Sequence, residues 1–162
     1  MKPTEQIREQ LDSLGSQADF TTSSHTMLAE QAGLRITCEL TALGTLGCAF
    51  RHLTVESETL ADATMEQVQE IGTALSKKLT YLLEPIAPIE IDADGCVVQL
   101  RSQPPHRVEE SRSYYELLVR RGGSICLRRF VKSNGTVREE TPASVTREVF
   151  LRLVDDLSSA LK

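Results

Sequence analysis

The chain has 162 residues, with 18 Lys+Arg against 23 Asp+Glu and a formal net charge of −5. Apolar residues make up 40%, charged residues 25% and aromatics 4%, with no Trp, which excludes a disordered chain, a collagen-like fibre and a disulfide-dense mini-protein. The acidic total disfavours a basic nucleic-acid domain.

The length fits one domain with a core large enough to need no staples. Residues 3–14 read as a helix, capped by Thr4, with Ile7, Leu11 and Leu14 on one face and Gly15 as its stop. The stretch 15–26 is rich in Ser and Thr and reads as a polar linker, so the chain divides into 1–26, a helix plus linker, and 27–162, a single α+β domain. Residues 34–42 alternate cleanly as a half-buried strand. A second strand over 46–55 changes parity midway, which a bulge near Arg51–His52 reconciles.

Met65, Val68, Ile71, Leu75, Leu79 and Leu82 step by three or four and predict a helix over 62–84, with Thr64 and Gln67 at capping-box spacing and Glu84-Pro85 as its end. Strands follow at 89–92 and 96–102 around the turn Ala93-Asp94-Gly95, then at 113–121, 124–132 and 136–140. A last helix over 143–161 takes Thr141 as cap and Pro142 at its first position. The order is α-ββ-α-βββββ-α, an antiparallel β-meander packed with helices.

Gly122-Gly123 and Asn134-Gly135 are strong two-residue hairpin signals. Read that way, Leu118 opposes Leu127, Glu116 opposes Arg129, and Arg129 opposes Glu140, giving a Glu116–Arg129–Glu140 row across three strands. Tyr115, Leu117, Val119, Cys126, Phe130 and Val137 then share one face, and Tyr114, Leu118, Ile125, Leu127 and Val131 the other. Because both faces carry apolar residues, a second element or a second subunit is expected to cover the Tyr114 face.

The candidate chemistry is sparse. His25, His52 and His106 have no His or Cys at ligand spacing, Asp92-Ala93-Asp94-Gly95 lacks the rest of a calcium loop, and no phosphate-cradling glycine motif or nucleophile elbow occurs. No catalytic residue, metal site or cofactor is assigned. Cys38, Cys48, Cys96 and Cys126 show no CxxC spacing and read as small reduced side chains. The opening Met1–Gln6 has no signal-peptide core and no run nears a membrane span, so a cytoplasmic setting without membrane contact is expected.

Charge is uneven along the chain: residues 101–140 hold nine Lys/Arg against five Asp/Glu, while residues 1–100 hold six against fifteen. Tyr114, Tyr115, Arg120, Arg128, Arg129 and Arg138 are therefore the candidate binding residues, and Leu118, Ile125, Leu127 and Val131 the candidate interface. The helix–sheet–helix order and size are similar to those of type III secretion chaperones, a likeness of element order alone. The function expected is a non-enzymatic, chaperone-like protein-binding or adaptor module, acting as a homodimer or on a protein partner. One alternative is a small-molecule or anion-binding domain or enzyme, with Arg120, Arg128, Arg129 and Tyr115 in a cleft against helix 62–84. Another is weak single-stranded nucleic-acid binding through 101–138, which the acidic total disfavours.

Overall fold

Alternating apolar and polar side chains build the first strands. A computed structural model of the chain describes residues 1–15 and 24–161; most of the predicted linker lies outside the described residues. Strands β1 (His25–Gln31), β2 (Leu34–Leu43) and β3 (Gly47–Ser57) form an antiparallel meander. Met27, Ala29, Ile36, Cys38, Leu40, Phe50, Leu53 and Val55 turn to one side and are buried. Thr37 faces Thr54 but Glu39 faces Arg51, so β3 holds an extra residue at His52, whose φ is 48°. This is the bulge that the parity change in the sequence calls for.

Seven more strands follow: β4 (Ile86–Asp92), β5 (Val97–Ser102), β6 (His106–Val108), β7 (Ser111–Arg120), β8 (Ser124–Ser133), β9 (Glu139–Thr141) and β10 (Ala143–Thr146). Together they make one antiparallel sheet in the order β1-β2-β3-β8-β7-β5-β4, with β6 on β7, β9 on β8 and β10 on β3. β3 pairs with β8 through Leu53–Glu56 and with β10 through Gly47–Phe50. The bulge thus opens a fork between β3 and β8 that the β9–β10 segment fills. The α+β class and the alternation of helices with strand blocks are those the sequence predicts. β1, β6 and β10 add to the blocks, and the boundary expected at 26/27 falls inside β1.

Three helices lie on the buried side of the sheet: α1 (Pro3–Leu14), α2 (Met65–Lys78) and α3 (Arg147–Ser159). Ile7, Leu11, Val68, Leu75, Phe150, Leu153, Val154 and Leu157 join the strand residues in one core. The rings of Phe50 and Phe150 meet at 5.1 Å. α1 starts two residues earlier than a Thr4 cap would place it: Lys2 is the cap residue, and Thr4 Oγ1 donates instead to Asp155 Oδ1 at 3.4 Å. Thr64 and Gln67 form the expected capping box of α2.

Both later helices are shorter than their apolar spacing implies. α2 stops at Lys78, because Leu79 and Leu82 reach the core through a turn that leaves Leu83 exposed at φ 66°. α3 begins at Arg147, capped by Thr146, because Ala143–Thr146 are taken as a strand by β3.

α1 also closes one edge of the sheet. Gln10 Nε2 donates to Leu28 O at 2.7 Å while Gln10 Oε1 accepts from Leu28 N at 3.3 Å, and Gln6 does the same with Glu30, at 2.9 and 3.2 Å. Two amides one helical turn apart thus occupy the outward backbone groups of β1 as a neighbouring strand would, removing a free edge.

The β7–β8 hairpin corrects the register. Arg120 pairs with Ser124, so the loop has three residues, and Leu118 opposes Cys126, Leu117 opposes Leu127, Glu116 opposes Arg128 and Tyr115 opposes Arg129. The two-residue turn fails because the loop backbone is used elsewhere. Arg121 N donates to Cys96 O, Gly122 N to Leu60 O, and Ser57 N to Gly123 O, at 3.0, 3.2 and 2.7 Å. The Asn134-Gly135 turn is also longer than expected: Val131 pairs with Glu139, so Phe130 faces Glu140 and Arg129 faces Thr141. The expected Glu116–Arg129–Glu140 row does not form. Gly122 and Gly123 both have positive φ, at 94° and 95°, but a β-carbon on Gly123 would collide with Ser57 O, whereas one on Gly122 meets open space. Urea unfolding should show Gly122→Ala costing about 1 kcal/mol and Gly123→Ala about 3 kcal/mol or more. Equal costs would contradict the close approach.

Candidate functional site

The helices cover one face of the sheet, and the register places three rows of side chains on the other. The middle row runs Leu28, Thr37, Thr54, Cys126, Leu118, Gln99 from β1 to β5 and carries no charge. Leu28 is 48% exposed and the other five are half-buried. On the side of the β7–β8 turn the flanking row is Glu30, Arg35, Glu56, Ser124, Arg120, Val97. On the far side it is Thr26, Glu39, Arg51 on β1–β3, then Arg128, Glu116, Arg101 on β8, β7 and β5. A neutral band between charged rows is the layout of an interface core with a polar rim. A concavity of about 860 Å³ at the turn end is lined by Glu30, Arg35, Glu56, Glu58 and Ser124.

Beyond the far row stands an arginine–aromatic cluster. Tyr114 and Phe130 pair across β7 and β8 with ring centroids 6.0 Å apart. Arg101 lies 4.7 Å over the Tyr114 ring, and Arg138 and Arg128 lie 3.9 and 5.8 Å over Phe130. Glu116, 3% exposed, accepts from Arg138 Nη1 at 2.6 Å and Gln99 Nε2 at 2.9 Å, and Arg101 Nη2 stands 3.7 Å away. Burial works against the charge on Arg138, but its bonds to Glu116 and Tyr114 outweigh that and raise its pKa. Arg101 Nε and Arg51 Nε are buried without a hydrogen-bond partner, so each has donor capacity left unused.

The residues singled out from sequence divide between the two faces. Tyr114, Arg120, Arg128, Arg138 and Leu118 stand on the outer face. Tyr115, Ile125, Leu127, Arg129 and Val131 have the opposite parity and stand on the helix side, with Ile125 and Leu127 wholly buried in the core. Arg129 makes a forked pair with Glu84, at 2.9 and 3.3 Å, donates to Ser113 Oγ at 2.9 Å, and stacks 4.5 Å from the Tyr115 ring. Burial raises the Tyr115 phenol's pKa, with Arg129 pulling it down. Arg120, Arg128, Arg129 and Tyr115 therefore do not line one cleft.

Leu28, Thr54, Gln99, Arg101, Cys126 and Phe130 also stand on the outer face. Alternation alone reveals them once the hairpin register is known.

Other groups sit as follows. His52 Nδ1 is 3.1 Å from Glu140 Oε1 and Nε2 is 3.8 Å from Glu39 Oε2, which ties β2, β3 and β9 together at the bulge. Cys38, Cys48 and Cys96 are buried, and Cys126 is half-buried. Burial raises the Cys38 pKa well above the usual thiol range and pushes Cys48 up to about 11, against a lowering pull from Arg147. Among the described residues, no three His, Cys, Asp or Glu are grouped to hold a metal ion, and no helix is long and apolar enough to cross a membrane.

Comparison with family models, curated proteins and solved structures returns no match. The adjacent residues Arg128 and Arg129 test the face assignment. Arg129→Ala leaves Glu84 buried without its partner and should cost about 2–4 kcal/mol in denaturant unfolding, whereas Arg128→Ala should cost about 0–1 kcal/mol. The reverse order would contradict the register.

Proposed function

We propose that the chain is a protein-binding module whose working surface is the outer face of its sheet. What supports this is one observation: the uncharged row from Leu28 to Gln99 crosses six strands of a face that no helix covers among the described residues, between two charged rows. A solvated sheet face has no need of such a row, since charge on every outward position would serve solubility as well. Binding energy would come from the middle row, with the charged rows setting orientation. The arginine–aromatic cluster adds a rigid rim, because stacked guanidinium groups lose little freedom on contact. The cytoplasmic setting read from the sequence accords with four unpaired cysteines.

The test is a photoreactive benzoylphenylalanine placed at Leu118, with Glu70 on the exposed side of α2 as control. In living cells, irradiation should give protein adducts from position 118 but not from position 70, and Thr54→Arg should abolish them. No adduct at 118, or adducts indifferent to Thr54→Arg, would overturn the reading.

A further inference from the structure

We propose that the occupant of this face is a second copy of the chain, packed sheet to sheet about a two-fold axis that runs along the uncharged row. The proposal rests on the reading of the outer face as a protein-binding surface and names its partner.

An axis along Leu28–Gln99, perpendicular to the strands, lays each strand antiparallel over its own counterpart. The uncharged row then meets itself, and each charged row meets the other. Arg35 falls on Glu39 of the second copy, and Glu56 falls on Arg51 of the second copy. Symmetry makes each contact twice. Arg120 falls on Glu116 of the second copy, but that carboxylate is already held by Arg138, and Arg35 is already paired with Glu30 of its own chain at 2.6 Å, so the Glu56–Arg51 contacts of β3 carry the electrostatics.

The competing axis runs along the strands, between β3 and β8. It sets Arg35 against Arg120, Arg51 against Arg128, and Glu39 against Glu116 of the second copy. All three contacts join like charges. The charge pattern therefore discriminates between the two ways of stacking this face on itself. Twisted sheets stack about 10 Å apart at about −30°, so register is best kept near the centre of the sheet, and β3, which carries Glu56 and Arg51, lies beside the central strand β8.

Two substitutions test the pairing on the full chain. Sedimentation velocity at micromolar concentration should show a dimer, and Glu56→Arg or Arg51→Glu alone should weaken it by about tenfold or more. An equimolar mixture of the two variants should restore association, because each hybrid pair has opposite charges at both contacts. That rescue also excludes misfolding as the cause of the loss. Cys126 lies on the axis, so its alkylation should slow as concentration rises.

A chain that stays monomeric while position 118 crosslinks to a protein of another mass overturns the second copy and spares the binding reading. A monomer without adducts overturns both. A dimer whose association is unchanged by either substitution overturns the axis and with it the proposal.

Discussion

The carbonyl of Ser57 occupies the space that a side chain on residue 123 would need, and the Ser57 amide donates to the Gly123 carbonyl at 2.7 Å. This contact fastens the β7–β8 turn to the end of β3. Together with the bonds from Arg121 to Cys96 and from Gly122 to Leu60, it enforces a three-residue loop. A strand's side chains alternate, so one residue of slip between β7 and β8 would turn one of the two strands over relative to the other. The turn therefore decides that Leu117, Val119, Ile125 and Leu127 meet the helices, and that Tyr114, Leu118, Cys126 and Phe130 do not.

The same choice sorts the arginines. Arg129 goes under the sheet to a nearly buried forked pair with Glu84, where losing either partner would strand a charge. Arg128 goes above it, among rings and exposed charges, where pairs contribute less. On the outer face Glu116 serves as an internal anion that holds Arg138 and Arg101 in place over Phe130 and Tyr114. The basic surplus of residues 101–140 is thus partly spent within the sheet. Its remainder, with the acidic residues of β1–β3, gives the face a pattern of sign as well as a neutral centre.

Much of the fold is legible in the residues. Alternation in 34–42, the parity change at Arg51–His52, the Thr64–Gln67 box and the terminal apolar helix each appear where local physics places them. The failures share one cause, which is tertiary use of a locally permissible segment. Gly122-Gly123 suits a two-residue turn, but Leu60 and Ser57 claim its backbone. Val145 and Thr146 extend a helical pattern, but the β3 edge takes them as a strand. Leu79 and Leu82 keep a helical spacing while the chain has already turned. β1 offers only Met27 and Ala29 as inward apolar residues, so its pattern is too short to stand out without its partner. The candidate site is affected most, because an error of one residue at a turn reassigns every side chain on one of the two strands it joins.

The β7–β8 register is the claim on which the core, the outer row and the proposed two-fold all rest. Cross-strand backbone NOEs measure it directly. The account predicts contacts linking Leu118 with Cys126 and Glu116 with Arg128. Contacts linking Leu118 with Leu127 and Glu116 with Arg129 would put Leu118 on the same face as Leu127 and contradict it.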